Sequence, residues 1–311
     1  MSALVVTVPG FLTTVQDLGR PGHAADGVSA SGAADPLALR IGNRLVGNDD
    51  GAAALEMTMV GGAFRFEGAG VAALAGAASG ARVSDRHVAT WRPFTVKAGE
   101  TVACTALSGG ARTYLCVRGG LSVPSFLGSA STHLMTAMGG HQGRALIAGD
   151  RLSFGTAAAR APFSRGVDPA ALPGYRRGEP FRVTEGPQAA WFAAESYARF
   201  HEIDWRVSGA CDRMGIRLEG PELELNAPRE LTTEGVCLGA VQVPPGGLPI
   251  VLFVEHQTTG GYPKIANVIA ADLARLGTLR PRDALRFEPA SIAAARSLLR
   301  AQEVALDALF D

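Results

Sequence analysis

Short apolar runs alternate with glycine- and proline-rich punctuation along most of this chain. Runs of this kind predict strands at Leu4–Val8, Ala63–Phe66, Val71–Leu74, Thr101–Leu107, Thr113–Val117, Leu146–Ala148, Arg151–Phe154, Phe181–Thr184, Ile216–Leu218, Val236–Val243, Ile250–Val254 and Ala284–Phe287. Three stretches have a helical period instead. Asp35 is placed to cap a helix with Pro36 in its first position, Leu37, Ile41 and Leu45 on one face and Gly47 beyond its end. A second helix is predicted from about Ile265 to Leu276, ended by Gly277. A third begins near Ser291, with Leu298, Ala301, Ala305 and Leu309 on one side. Many short strands with few helices argue for a mainly β chain of barrel or sandwich type rather than alternating βαβ units. Periodicity fails at Thr156–Pro180, where Ala, Arg, Pro and Gly dominate, so two domains are expected, 1–165 and 166–311.

Composition narrows the classes. Hydrophobic residues make up 47% of the 311, enough for substantial cores, and 29 basic side chains are balanced by 29 acidic ones. That balance argues against a nucleic-acid-binding protein. The longest apolar stretch, Val71–Ala78, is broken by Gly76 and falls far short of the roughly 20 residues needed to cross a bilayer. The N-terminal stretch from Met1 to Pro9 has no basic region and reads as a strand rather than a signal peptide. Cys104, Cys116, Cys211 and Cys237 form no CxxC pair, so reduced thiols in the cytoplasm are expected. There is no GxxxxGK[ST] phosphate loop, no HExxH and no GxSxG elbow. No metal is expected. Only two lysines occur, Lys97 and Lys264, so any lysine chemistry falls to one of them.

Four segments carry candidate chemistry. In Gln257-Thr258-Thr259-Gly260-Gly261-Tyr262-Pro263-Lys264 the glycines free the backbone to approach a ligand. The threonine hydroxyls and successive N–H groups suit an oxyanion or carboxyl, and Lys264 adds a cation beside the expected helix N-terminus. The competing reading is an ordinary strand–turn–helix connection with a solvated lysine. In Thr13–Gly22, Gln16, Asp17 and Arg20 either project from a loop towards a polar substrate or include a local Asp17–Arg20 ion pair. Arg213, in Asp212-Arg-Met-Gly215, either recognises a carboxylate or phosphate or ties its own loop together. Glu56 sits among apolar neighbours that would raise its pKa and fit it for general-base work, unless its strand is an exposed edge.

Thr13–Arg20 (TTVQDLGR), Ser31-Gly-Ala-Ala-Asp35, Asn43–Asn48 (NRLVGN), Leu55-Glu56, Asp212–Gly215 (DRMG), Gln242-Val-Pro244 and Gln257–Lys264 (QTTGGYPK) together resemble the allophanate hydrolase subunit 2 family. The same family is called KipA-like or biotin-dependent carboxyltransferase, and it includes the C subunit of bacterial 5-oxoprolinase. The likeness spans nearly the whole chain in order. Two departures stand out: Cys211 replaces a common serine, and Glu255-His256 replaces the usual Asp-Arg.

The resemblance implies two cyclophilin-like β-barrel domains and a partner of the KipI or allophanate hydrolase subunit 1 type. In the oxoprolinase system it also implies a LamB/YcsF-type subunit and ATP as co-substrate of the complex, which opens 5-oxoproline to glutamate. On that reading Lys264 and the Thr258–Gly261 backbone meet a carboxyl or developing oxyanion. Arg20 and Arg213 meet a carboxylate or phosphate, and Asp17 or Glu56 positions water or takes a proton, with Gln16, Gln257 and Tyr262 as further substrate contacts. Two alternatives are carboxyl transfer from carboxybiotin to urea or a related amide, and a regulatory protein that binds a KipI-like kinase inhibitor. The chain holds no Met-Lys-Met biotinylation site, so biotin would arrive on another protein.

Overall fold

The computed structural model describes residues 2–155 and 158–311, so the first two residues of the non-periodic Thr156–Pro180 stretch lie outside the described residues. The chain is mainly β and gathers into two compact units. One comprises Met1–Arg20, Ser31–Pro169 and Ala308–Asp311, the other Pro21–Ala30 and Ala170–Asp307.

The first unit has two sheets. In one, neighbours run Leu121–Ser122, Arg151–Phe154, Ser2–Val8, Ala63–Phe66, Thr101–Ala103, Arg82–Val83 and Arg86–His87. In the other they run Leu12–Gln16, Ala54–Thr58, Ser108–Val117, Gly70–Ala78 and Arg92–Val96. Alternate residues of both sheets, among them Leu4, Val6, Val15, Leu55, Met57, Phe64, Phe66, Leu74 and Leu115, meet in one apolar core. The Pro36–Leu45 helix forms as its local signals predict. The Asp35 carboxylate accepts the Ala38 N–H at 3.0 Å, and Leu37, Ile41 and Leu45 are buried. The short C-terminal segment returns to this unit, where the Phe310 ring lies 5.1 Å from Phe163 and 5.7 Å from the Arg44 guanidinium.

In the second unit an eight-stranded sheet runs Ala284–Leu285, Trp205–Val207, Gly215–Glu219, Ile250–Leu252, Ala240–Gln242, Lys264–Val268, Phe181–Glu185 and Phe287–Pro289. Its two edge strands are separated in sequence by Arg286 alone, so the sheet bends round almost to closure. Trp205, Phe200 and Phe287 fill its interior.

Several expectations are corrected. The predicted Ile265–Leu276 helix is a strand over Lys264–Val268, a 3-10 turn over Ala270–Asp272 and one helical turn over Leu273–Leu276. Its apolar residues suit either period, and pairing with Phe181–Glu185 and Ala240–Gln242 selects the strand. Leu146–Ala148 belongs to no strand; Leu146 instead donates its N–H to the Thr13 carbonyl at 2.8 Å. The predicted strands Val236–Val243 and Thr101–Leu107 shorten to Ala240–Gln242 and Thr101–Ala103. The helix Ala194–Glu202 and the strand Trp205–Val207 have no counterpart among the elements expected from the sequence. The Ile292–Ala308 helix buries Gln302 and Leu306 and leaves Ala301 exposed. Its inward stripe is rotated because the Gln302 amide donates to the Pro173 and Ala271 carbonyls, at 2.8 and 3.0 Å.

Asp150 fixes the turn before Arg151–Phe154. It accepts a two-pronged pair of bonds from Arg144 at 2.7 and 2.8 Å and the Ile147 N–H at 2.9 Å. The Arg144 bonds lead in holding its carboxyl down at about 2, against an ordinary 3.8. A depressed carboxylate stabilises the fold above its unfolded-state pKa, and that contribution is lost as pH falls through the folded value. The urea midpoint should therefore drop between about pH 5 and pH 2, and Asp150→Asn should flatten that limb of the profile while lowering stability at neutral pH.

Candidate functional site

The strands Ala240–Gln242 and Lys264–Val268 pair Ala240 with Asn267 and Val241 with Ala266, then slip by one residue so that Gln242 faces Lys264. The extra residue, Ile265, makes a β-bulge, a device that re-aims side chains. The turn from Gly186 to Gln188 locks it. Gly186 N–H donates to the Ile265 carbonyl at 3.0 Å, Gln188 N–H to the Lys264 carbonyl at 3.2 Å, and Lys264 N–H to Gln188 Oε1 at 3.1 Å. A Cβ on Gly186 would stand 2.2 Å from the Lys264 carbonyl oxygen, so only glycine permits this approach.

The consequence is a buried lysine, 3% exposed, whose Nζ lies 2.5 Å from Glu234 Oε1. Gln188 Nε2 donates to the same oxygen at 2.9 Å. The Lys264 bond first, and the Gln188 bond second, hold the Glu234 carboxyl below its usual range, although its side chain is 41% exposed. Gln257 Nε2 donates to Gln242 Oε1 at 3.2 Å. Glu234–Gly235 and Thr259–Gly260 form a two-stranded ladder pairing Glu234 with Gly260 and Gly235 with Thr259. Gly260 passes so near Gln242 that a Cβ there would be 2.6 Å from Nε2. Tyr262 stands exposed beside Gly261, and both line a cavity of about 810 Å³ walled by Leu223, Leu231, Val243 and Pro244. Lys264, Gln257 and Gly260 thus come together, with Thr258 and Thr259 on the same segment. The lysine, however, opens a strand and does not stand at a helix N-terminus.

Arg213 and Glu255, both buried, form an ion pair through Arg213 Nε and Glu255 Oε1. Their backbones are laced as well, Glu255 N–H to the Arg213 carbonyl at 2.8 Å. The Glu255 departure noted in the sequence therefore supplies the arginine's carboxylate. Next to it, burial pushes the His256 imidazole pKa down, against a bond from Nδ1 to the Gln257 carbonyl that raises it. Cys211 is partly exposed and its Sγ reaches the Arg217 carbonyl at 3.4 Å.

The remaining expected site residues lie in the first unit. Gln16, Asp17 and Arg20 do not project from an open loop: they are 0%, 8% and 1% exposed. The Asp17 carboxylate accepts four hydrogen bonds, from Ser131 Oγ at 2.5 Å, Ser129 Oγ at 2.6 Å, Ala130 N–H at 2.6 Å and Gly19 N–H at 2.8 Å. Arg20 donates to the carbonyls of Ser131 and Phe126. Gln16 Nε2 bonds Thr14 Oγ1 and the Thr132 carbonyl, at 3.1 and 3.0 Å. Together they clasp the Phe126–Thr132 segment to the Leu12–Gln16 strand. Glu56 is 1% exposed on a strand flanked on both sides, not at an edge. Its Oε2 accepts from Tyr114 OH at 2.6 Å and Ala34 N–H at 2.9 Å, while Tyr114 OH accepts from Asp35 N–H at 2.8 Å. Burial above all, then the Glu56 and Asp35 charges, pushes the Tyr114 pKa well above 10.0, so it stays a neutral donor.

Sequence reasoning missed Gln188, Glu234 and Gln242 as members of the Lys264 cluster. Gln242 lies within a quoted motif and Glu234 within the polar run Thr232-Thr-Glu-Gly235, but neither has a local cue to its partner. Gln188 follows Gly-Pro and reads only as a turn.

A carboxyltransferase domain is the class these features define. Residues 26–289 match the family described as "Carboxyltransferase domain, subdomain A and B", and the chain belongs to it. Among proteins it resembles, the 5-oxoprolinase C subunit of Escherichia coli K12 is 41% identical over 283 residues, covering 91% of this chain and 90% of that one. Its namesake in Haemophilus influenzae is 38% identical, covering 94% and 93%. The solved Kluyveromyces lactis urea amidolyase superimposes with a TM-score of 0.92 at 31% identity, over 99% of this chain and 20% of that larger one.

Removing one member of a buried ion pair strands the other charge, at about 3–5 kcal/mol. Arg213→Met and Glu255→Leu should each lower urea-denaturation stability by that order. The double variant should lose clearly less than their sum, a coupling that a double-mutant cycle measures.

Proposed function

We propose that this chain is a subunit of an ATP-dependent 5-oxoprolinase complex that opens 5-oxoproline to glutamate, with Lys264 binding the substrate carboxylate. The observation that carries the reading is the buried Lys264 beside the Gln257–Gly261 segment, in a chain matching two 5-oxoprolinase C subunits over nine-tenths of their length. A buried lysine paired with a partly exposed carboxylate is suited to exchange that partner for a ligand's carboxylate. Thr258, Thr259 and the Gly260–Gly261 backbone then supply neutral donors, and Tyr262 an aromatic wall. Arg213, engaged by Glu255, braces the segment that leads into Gln257, while Asp17 and Arg20 hold the loop clasp of their own unit; none of the three takes part in proton transfer. Glu56 holds the entry to the Pro36–Leu45 helix.

A lactam is too stable to open unaided at a useful rate. Phosphorylation of its oxygen by ATP makes the ring carbon electrophilic, and water then opens it with release of phosphate. The chain has no phosphate loop of the GxxxxGK[ST] kind. ATP is therefore assigned to the assembled complex, with a KipI or allophanate hydrolase subunit 1-like protein and a LamB/YcsF-type protein as the partners, in the cytoplasm.

The fit to urea amidolyase favours one second reading, carboxyl transfer from a carboxybiotin carrier to urea or a related amide. The two are separated by reconstitution. Co-purified with the two partner subunits, the chain should yield ATP-dependent glutamate from 5-oxoproline, and Lys264→Ala should reduce kcat/KM roughly 10- to 100-fold. Carboxylation of urea by a carboxybiotin carrier, with no glutamate formed, would replace this reading with the second.

A further inference from the structure

Gln242 is 2% exposed, and its two amide atoms are treated differently. Oε1 accepts from Gln257 Nε2, which fixes the plane and direction of the amide. Nε2 is buried and has no hydrogen-bond partner among the described residues. Buried amide donors are nearly always satisfied, because leaving one unmet forfeits its hydration with nothing in return. Here the orphan lies in the candidate site. Gln242 is the cross-strand partner of Lys264, which places their Cβ atoms about 5 Å apart on one face of the sheet. What covers Nε2 is Gly260, which has no side chain, on a ladder only two residues long that also carries Glu234. So short a ladder opens at little free-energy cost. Its displacement would uncover two donors together, the Lys264 ammonium and the Gln242 amide, and would take away the lysine's resident carboxylate.

We infer that Gln242 Nε2 is the donor that recognises the carbonyl oxygen of the ligand whose carboxylate pairs with Lys264. The inference rests on the function proposed above and adds to it the feature that selects the substrate class. A cation and a neutral donor side by side fit a small molecule with a carboxylate and an amide carbonyl close together. A cyclic amino acid without the carbonyl satisfies the lysine alone and leaves Nε2 unmet.

The test is Gln242→Glu in the reconstituted complex. The variant keeps an acceptor for Gln257 but replaces the donor with a second oxygen and adds a carboxyl group beside Lys264. Gln242→Met, which removes the donor without adding charge, is therefore measured with it and should show the same selective loss. With 5-oxoproline the KM of each variant should rise roughly 10- to 100-fold, while the KM for ATP stays unchanged. Inhibition by proline, which has the ring and carboxylate but no lactam carbonyl, should change much less. Gly260→Ala, which places a methyl 2.6 Å from Nε2, should raise the lactam KM in the same selective way. An unchanged lactam KM in Gln242→Glu, or equal weakening of lactam and proline, would overturn the assignment and leave the proposed function standing. A wild-type complex with no lactam turnover would overturn both.

Discussion

An ammonium ion removed from water must be met where it lies, and in the second unit the geometry around Lys264 follows from that demand. The charge is matched by Glu234, the carboxylate is steadied by Gln188, and Gln188 also brackets the lysine's own backbone. The bulge at Ile265 brings the side chain into register with Gln242, and Gly186 lets the supporting turn come close enough to hold it. None of these parts is explicable alone. Without the bulge, Lys264 would face the other side of the sheet. Without the acid, burying it would carry a large desolvation penalty.

The carboxylates of the first unit contrast with Glu234. The Asp17 oxygens are occupied by hydroxyls and backbone N–H groups, Glu56 Oε2 by a hydroxyl and a backbone N–H with Arg112 3.6 Å from Oε1, and each acid ties a distant segment to a strand. Such groups resist exchange because every bond to them would have to be replaced at once. Glu234 sits on a minimal ladder, partly in water, with two side-chain partners. Residue type alone does not separate these acids; the number and origin of their partners does.

That distinction explains how far the sequence could be read. The Pro36–Leu45 helix was legible because its cap, proline and apolar stripe are all local. The strand at Lys264 was not, since Ile265, Val268 and Ile269 fit a helical stripe as well as a strand, and the deciding partners include Val183, far upstream. Lys264 and the Gln257–Tyr262 segment were visible as unusual chemistry. Gln188 and Glu234 were invisible for the same reason that makes them useful: they arrive from separate turns. Asp17 and Arg20 looked like reactive groups because a loop clasp and a binding loop draw on the same polar residues.

The chain passes between its two units more than once. Pro21–Ala30 belongs with the second, and Ser29 Oγ donates there to the Val254 carbonyl at 3.3 Å; Ala308–Asp311 belongs with the first. A single genetic breakpoint near Pro169 would therefore deliver neither half whole: one piece would lack the Phe310 ring, the other the Pro21–Ala30 strap. Recombination can transplant such a gene only as an undivided block, and any split-reporter scheme would have to re-route the connections first.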